Sequence, residues 1–218
     1  TTNLTLSEIY YRSSAPYKLL LEDYLVVFSP ERFIRTEGSR IITNPMKGTI
    51  DASVPGAYHK LITDPKEDAE HNTIVDLLRN DLGIVAHNIN VEKFRYIDHL
   101  FTGDKTLLQV SSKITGRLPA DWRNHFGRIL RALLPAGSIS GTPKKSTVSI
   151  IKAVEQHQRG FFTGVFGYFD GKDFDSAVMI RFVENQNGRL VYKSGGGITL
   201  DSCAEDEYQE MIDNIYIP

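Results

Sequence analysis

The stretch Tyr24–Asn44, YLVVFSPERFIRTEGSRIITN, decides the fold. It contains three short runs rich in β-branched and aromatic residues, Tyr24–Phe28, Phe33–Arg35 and Ile41–Thr43, with Glu37, Gly38 and Ser39 as turn residues before the last. Runs of this length, bounded by turn formers, predict strands joined as a β-meander. The same signature returns at Phe161–Thr199, where Asp170–Gly171 and Asn187–Gly188 mark turns and Gly195, Gly196 and Gly197 close the last strand.

Helical signals lie around these runs. Asp64 is a candidate N-cap, Pro65 suits a first helical position and Glu67 is placed as a capping-box acid; Ile74, Leu77, Leu78 and Leu82 then recur at helical spacing up to Gly83. Further helices are predicted over Pro119–Leu134 and over Pro143–Gln158, the latter with Thr142 as N-cap and Gly160 as its stop. Ser202 and Glu205 form an S-x-x-E box ahead of a last helix carrying Tyr208, Met211, Ile212 and Ile215. Runs of strands separated by a few helices predict an α+β fold of packed antiparallel β-sheets with outer helices.

Composition narrows the function. The 218 residues are 41% hydrophobic, ordinary for one globular domain, and 25 basic against 27 acidic side chains leave a net charge of -2. No overall field draws the chain to nucleic acid or an anionic membrane, so a small polar substrate fits better. No apolar run reaches the length of a membrane span and the N-terminus lacks the pattern of a signal peptide, which predicts a cytoplasmic protein. The single cysteine, Cys203, excludes an internal disulfide and a cysteine zinc cluster, and it sits at a helix start rather than on a nucleophile turn.

Glu67 and Glu70 are three residues apart in line with the apolar stripe of their helix; Glu207 and Glu210 repeat that spacing on the last helix, with Asn214 on the same flank. First-turn acids complement the helix dipole without any ligand, the simpler reading of one pair alone. Two pairs facing one cavity repel unless a cation lies between them, and hard oxygen donors with room for water suit Mg²⁺. The loop Ala136–Pro143, AGSISGTP, leads into a helix and is either a capped turn or an anion site; it lacks the Lys and Ser/Thr of a nucleotide-binding P-loop. Gly195–Gly197 is equally either a bend or a close approach to a ligand. Arg181, among Val178, Met179, Ile180 and Phe182, reads as a guanidinium on an apolar strand that needs a carboxylate from substrate or protein.

Six ordered motifs resemble the chorismate-utilising enzymes, among them anthranilate synthase and aminodeoxychorismate synthase component I, isochorismate synthase and salicylate synthase. They are Phe28–Phe33 (FSPERF), Pro45–Thr49 (PMKGT), Glu70 with Asp76–Gly83 (DLLRNDLG), Gly137–Lys144 (GSISGTPK), Gly195–Ile198 (GGGI) and the acids of the last helix. The resemblance implies Glu70 and Glu210 as Mg²⁺ ligands supported by Glu67 and Glu207, and Glu31 as the general acid for the leaving C4 hydroxyl. It implies Arg181 for a substrate carboxylate, and Gly48, Thr49, Gln109, Ser138, Gly195 and Gly197 as contacts near the ligand.

Lys47 points within the family. Anthranilate synthases usually carry alanine there, whereas aminodeoxychorismate synthases carry a lysine whose amine attacks C2 of chorismate as the C4 hydroxide leaves, so that ammonia ends on C4. That chemistry requires an unprotonated Lys47 and a protonated Glu31. A glutamine amidotransferase is then the implied ammonia-supplying partner. Residues 1–218 are expected to be one chorismate-binding catalytic domain without the N-terminal segment family members usually carry. Gln109 stands where most members have histidine, and Asn214 where many have lysine. Anthranilate synthase and a non-catalytic chorismate-binding fragment are the alternatives.

Overall fold

The computed structural model describes residues 2–102, 105–200 and 202–217. Its strands form two sheets, and every strand pairing is antiparallel. The smaller sheet orders β1 (Tyr17–Leu21), β2 (Leu25–Ser29), β10 (Phe182–Gln186) and β11 (Arg189–Lys193) as β1-β2-β10-β11.

The larger sheet holds β3 (Arg32–Glu37), β4 (Arg40–Thr43), β5 (Met46–Asp51), β6 (His87–Thr102), β7 (Lys105–Arg117), β8 (Val165–Phe169) and β9 (Phe174–Val178). Its order is β5-β7-β4-β3-β9-β8, with β6 also on β7. The long β7 pairs with β6 on one edge and with β5 and then β4 on the other.

The helices are α1 (Leu6–Arg12), α2 (Ala57–Thr63), α3 (Pro65–Val85), α4 (Phe126–Leu133), the single turn α5 (Gly137–Ser140), α6 (Lys144–Val154) and α7 (Ala204–Asp213). They stand outside the sheets, as the α+β expectation requires. None is long and apolar enough to cross a membrane.

Neither predicted meander exists as a single sheet. β2 lies in the smaller sheet while β3 and β4 form a hairpin in the larger, and the second region divides likewise into β8–β9 and β10–β11. The chain changes sheets at Pro30–Glu31 and again at Met179–Arg181. Alternation along β2 shows the result: Val26 and Phe28 pack with Leu6 and Ile9 of α1, whereas Leu25 and Val27 pack with Met179, Phe182 and Phe166. Both faces of β2 are buried, one under a helix and one between sheets. The main core lies where α3 and α4 cover the larger sheet, with Val75, Leu82, Ile129 and Leu133 against Ile34, Ile41 and Ile114.

Three helix starts differ from expectation. α6 begins after Pro143, which has no hydroxyl to cap with, so Thr142 is not its N-cap, and the helix ends at Val154 rather than near Gln158. α7 begins after Cys203 without a side-chain cap, because the Ser202 hydroxyl is turned to Glu207 instead. Asp64 does cap α3, accepting from the backbone of Lys66 and Glu67, but Glu67 gives no return bond and α3 runs on to Val85. Over Pro119–Leu134 the chain makes a 3₁₀ turn at Trp122–His125 and then α4.

Candidate active site

The N-terminal turns of α3 and the outer end of α7 meet beside β5. Lys47 Nζ lies 2.7 Å from Glu70 Oε2, and Lys66 Nζ lies 3.9 Å from Glu70 Oε1 and 4.0 Å from Glu207 Oε1. Glu70 of α3 and Glu207 of α7 are thus linked through Lys66, and Lys47 pairs with Glu70 within the field of Glu67 and Glu210, the counter-charge that electrostatics demands. Glu70 and Glu207 are largely buried and Glu210 is exposed.

Gly48 makes the approach possible. Its φ of +80° lies in the left-handed region, and a Cβ there would come within 2.8 Å of Glu67 Oε2 and 3.2 Å of Leu61 Cδ1. Gly195–Gly197 lead from β11 to α7 along the rim, and a Cβ on Gly196 would sit 3.6 Å from Glu207 Oε2.

Burial pushes Glu67 above the usual carboxylate range, helped by Glu70, Asp64 and Glu210 and opposed by Lys47. Burial alone would lower Lys47, but its bond to Glu70 and the fields of Glu70, Glu210 and Glu67 outweigh that and hold the ammonium above the usual lysine value. The protonated amine is thus a counter-ion of these acids, and the attack expected of Lys47 requires that its proton be lost first. Among the described residues no three His, Cys, Asp or Glu side chains converge as a metal centre. Glu67 Oε2 and Glu207 Oε2 are nevertheless buried without a hydrogen-bond partner, and orphaned carboxylate oxygens suit a hard cation such as Mg²⁺.

Gln109 of β7 pairs with Thr49 of β5, its Nε2 donating to Thr49 Oγ1 at 3.1 Å while Oε1 is left without a donor. Close by, the fully buried His71 shares a 2.7 Å hydrogen bond with Ser112 of β7, and Arg95 donates from its backbone N–H to the same hydroxyl and from its side chain to Asp68 and the Ile62 carbonyl. These contacts fix α3 on the larger sheet.

A second constellation lies where the chain changes sheets. Ser138 donates to Glu31, and burial pushes the Glu31 carboxyl above its usual range against that bond and the field of Arg181. A raised Glu31 is what a general acid requires. Ser138 sits in α5, not in an open loop, and a side chain at Gly137 would overlap Leu77 and Asp81 of α3. The turn consumes the backbone N–H groups of Ile139, Ser140 and Gly141, so these are not offered to an anion.

Arg181 is not within a strand. It occupies the break between β9 and β10 with φ +53°, and Nη2 donates to Asn214 Oδ1 at 2.8 Å, an amide rather than a carboxylate. Asn214 follows α7, the helix of Glu207 and Glu210, so α7 joins the two constellations.

Lys66, His71, Tyr192 and Tyr216 were not read from the sequence. Lys66 carried a signal, the i,i+4 spacing to Glu70; the two tyrosines join the site only through tertiary contacts.

The sequence pattern of the family described as chorismate binding enzyme matches residues 3–216. The chain is 51% identical over 216 residues to an uncharacterized PabA-like protein of Haemophilus influenzae, covering 99% of this chain and 66% of that one. It is 38% identical over 219 residues to aminodeoxychorismate synthase component 1 of Salmonella typhimurium, covering 92% of this chain and 45% of that protein. Among solved structures, anthranilate synthase component I of Streptococcus pneumoniae superimposes with a TM-score of 0.81 at 30% identity, over 98% of this chain and 49% of that one. The chain thus spans from about half to two thirds of the length of these proteins. With fold, motifs and acid cluster in agreement, it belongs to the chorismate-binding enzyme family.

Proposed function

We propose that the chain carries the catalytic centre of an aminodeoxychorismate synthase component I, replacing the C4 hydroxyl of chorismate with an amino group. The observation that carries this reading is Lys47 in β5, aimed at Glu70 where the two helices' acids meet. Glu70, Glu67, Glu207 and Glu210 would hold Mg²⁺. When bound, that ion supplies a positive charge for a substrate carboxylate and for the acids that lysines now neutralise.

Lys47, freed of its proton, forms a bond from Nζ to C2 of chorismate while both ring double bonds shift one place and the C4–O bond breaks. Glu31 gives its proton to the departing hydroxide, which leaves as water. Ammonia then bonds to C4, both double bonds return to their original places and the C2–N bond breaks, restoring the Lys47 amine. Ammonia from a glutamine amidotransferase partner completes the scheme, and the enolpyruvyl group stays on the ring. Gln109 supports this outcome, because an amide cannot remove the ring proton whose loss would expel pyruvate.

The test is product analysis with chorismate, ammonium and Mg²⁺, with pyruvate followed through lactate dehydrogenase. Aminodeoxychorismate without pyruvate is expected; pyruvate formed in step with chorismate loss would favour anthranilate synthase. Without ammonia, mass spectrometry should find an adduct on Lys47 that the Lys47→Ala variant lacks, and that variant should lose roughly 10³-fold or more in amination.

A further inference from the structure

We infer that Asn214 is a charge-neutral positioning residue, which aims the Arg181 guanidinium at an anionic ligand without neutralising it. The inference rests on the proposed function only in taking that ligand to be a carboxylate.

The groups in contact with Arg181 carry no negative charge, and Glu31, near enough to feel its field, forms no ion pair with it. Nη2 donates to the Asn214 side-chain oxygen at 2.8 Å, and the guanidinium carbon lies 5.1 Å from the centre of the Tyr216 ring. Tyr192 fixes the segment that supplies both, its hydroxyl lying 3.1 Å from the Asn214 carbonyl oxygen and 3.0 Å from that of Tyr216. Among the described residues no carboxylate forms a salt bridge with Arg181, and its Nε is buried without an acceptor. A partly buried guanidinium normally takes a carboxylate partner, so an amide in that place leaves both charge and donors for something else.

The backbone agrees. Arg181 adopts φ +53°, a region disfavoured for a side chain of its size, and its carbonyl accepts from the Phe28 N–H at 3.1 Å. Strain accepted at the crossing between sheets gives this side chain its direction.

Asn214→Ala and the isosteric Asn214→Asp separate positioning from packing. Aspartate keeps the size and the acceptor, so it would rescue a merely structural role, whereas it would neutralise Arg181 if the amide's lack of charge is what matters. Binding of benzoate, a simple carboxylate, and of chorismate is measured on folded variants, with the Arg181 Nε–H followed by ¹⁵N NMR.

Wild type is expected to bind both ligands, with the Nε–H resonance shifting on benzoate addition. Asn214→Ala should bind each roughly tenfold more weakly, the loss of one oriented hydrogen bond. Asn214→Asp should bind more weakly still, with KM for chorismate rising more than kcat falls. Aspartate binding as tightly as wild type, aspartate outperforming alanine, or a wild type that leaves the Nε–H unmoved by benzoate would each overturn the inference. Benzoate following the expected order while chorismate is not bound would instead overturn the proposed function alone.

Discussion

Helices α3 and α7 each present two glutamates three residues apart, yet they are held in opposite ways. α3 is capped by Asp64, buries His71, Val75, Leu77 and Leu82, and is pinned to β7 through His71 and Ser112. α7 has no side-chain cap, and its one buried residue is Glu207, a member of the site itself. What holds α7 is polar: Ser202 on Glu207, Ser194 on the Met211 carbonyl, and Arg181 on Asn214 just past its end. One acid pair rides on a scaffold that the core would maintain without any ligand. The other is placed by hydrogen bonds to neighbouring loops.

On the proposed function the difference should vanish for catalysis, because both pairs would hold the metal. Glu70→Gln and Glu210→Gln should each lower turnover at limiting Mg²⁺ by roughly 10²-fold or more, Glu70→Gln the further because it also releases Lys47. Full activity of either variant at limiting Mg²⁺ would remove that residue from the metal set. For stability the difference should be plain. Leu82→Ala empties a buried position of α3 and should cost about 3 kcal/mol in urea denaturation, whereas Met211→Ala in α7 should cost less than about 1 kcal/mol. Equal costs would mean that α7 belongs to the core as α3 does. The caps give a finer version: Asp64→Ala should lose about 1 kcal/mol, and Ser202→Ala should weaken Mg²⁺ binding through Glu207 more than it changes stability.

The same contrast explains what the sequence made legible. Helix α3 was readable because cap, proline and apolar stripe all lie within its own residues. The acid spacings are equally local, and the family motifs collect Glu31 and Lys47. Which sheet each strand joins was not readable, because alternation along β2 is the same whether β3 is its neighbour or lies in the other layer. The long β6–β7 hairpin was missed because β6 is interrupted by irregular register and carries charges throughout, as at Glu92, Lys93, Arg95 and Asp98. Thr142 and Ser202 have the spacing of caps but do not cap, because sequence spacing does not say where a hydroxyl turns. Arg181 reads as a strand residue because its neighbours are apolar, while its positive φ belongs to the crossing between sheets.

Acid should divide the two halves by pH window. The buried His71 ring that anchors α3 is held neutral, its pKa lowered to about 4, first by burial and then by the Arg95 charge, with Asp68 opposing. A histidine with a depressed folded pKa binds its proton more readily unfolded, so its contribution is fully present above the unfolded value of 6.5 and drains away as pH falls toward about 4. In the smaller sheet the corresponding buried pair is Glu184–Lys193 of β10 and β11, 2.8 Å apart. Burial alone would raise Glu184, but the bonds from Lys193 and Gln186 outweigh it and hold its pKa below the usual 4.5, so this contribution is lost only as pH falls below that value. Between pH 6.5 and 5.5 stability should therefore fall by about 1 kcal/mol through His71 alone. Urea titrations across that interval should show the same slope in wild type and in Glu184→Gln, and His71→Gln should lose about 1 kcal/mol of that pH dependence. An unchanged slope in His71→Gln would mean that another group, not the anchor of α3, senses mild acid.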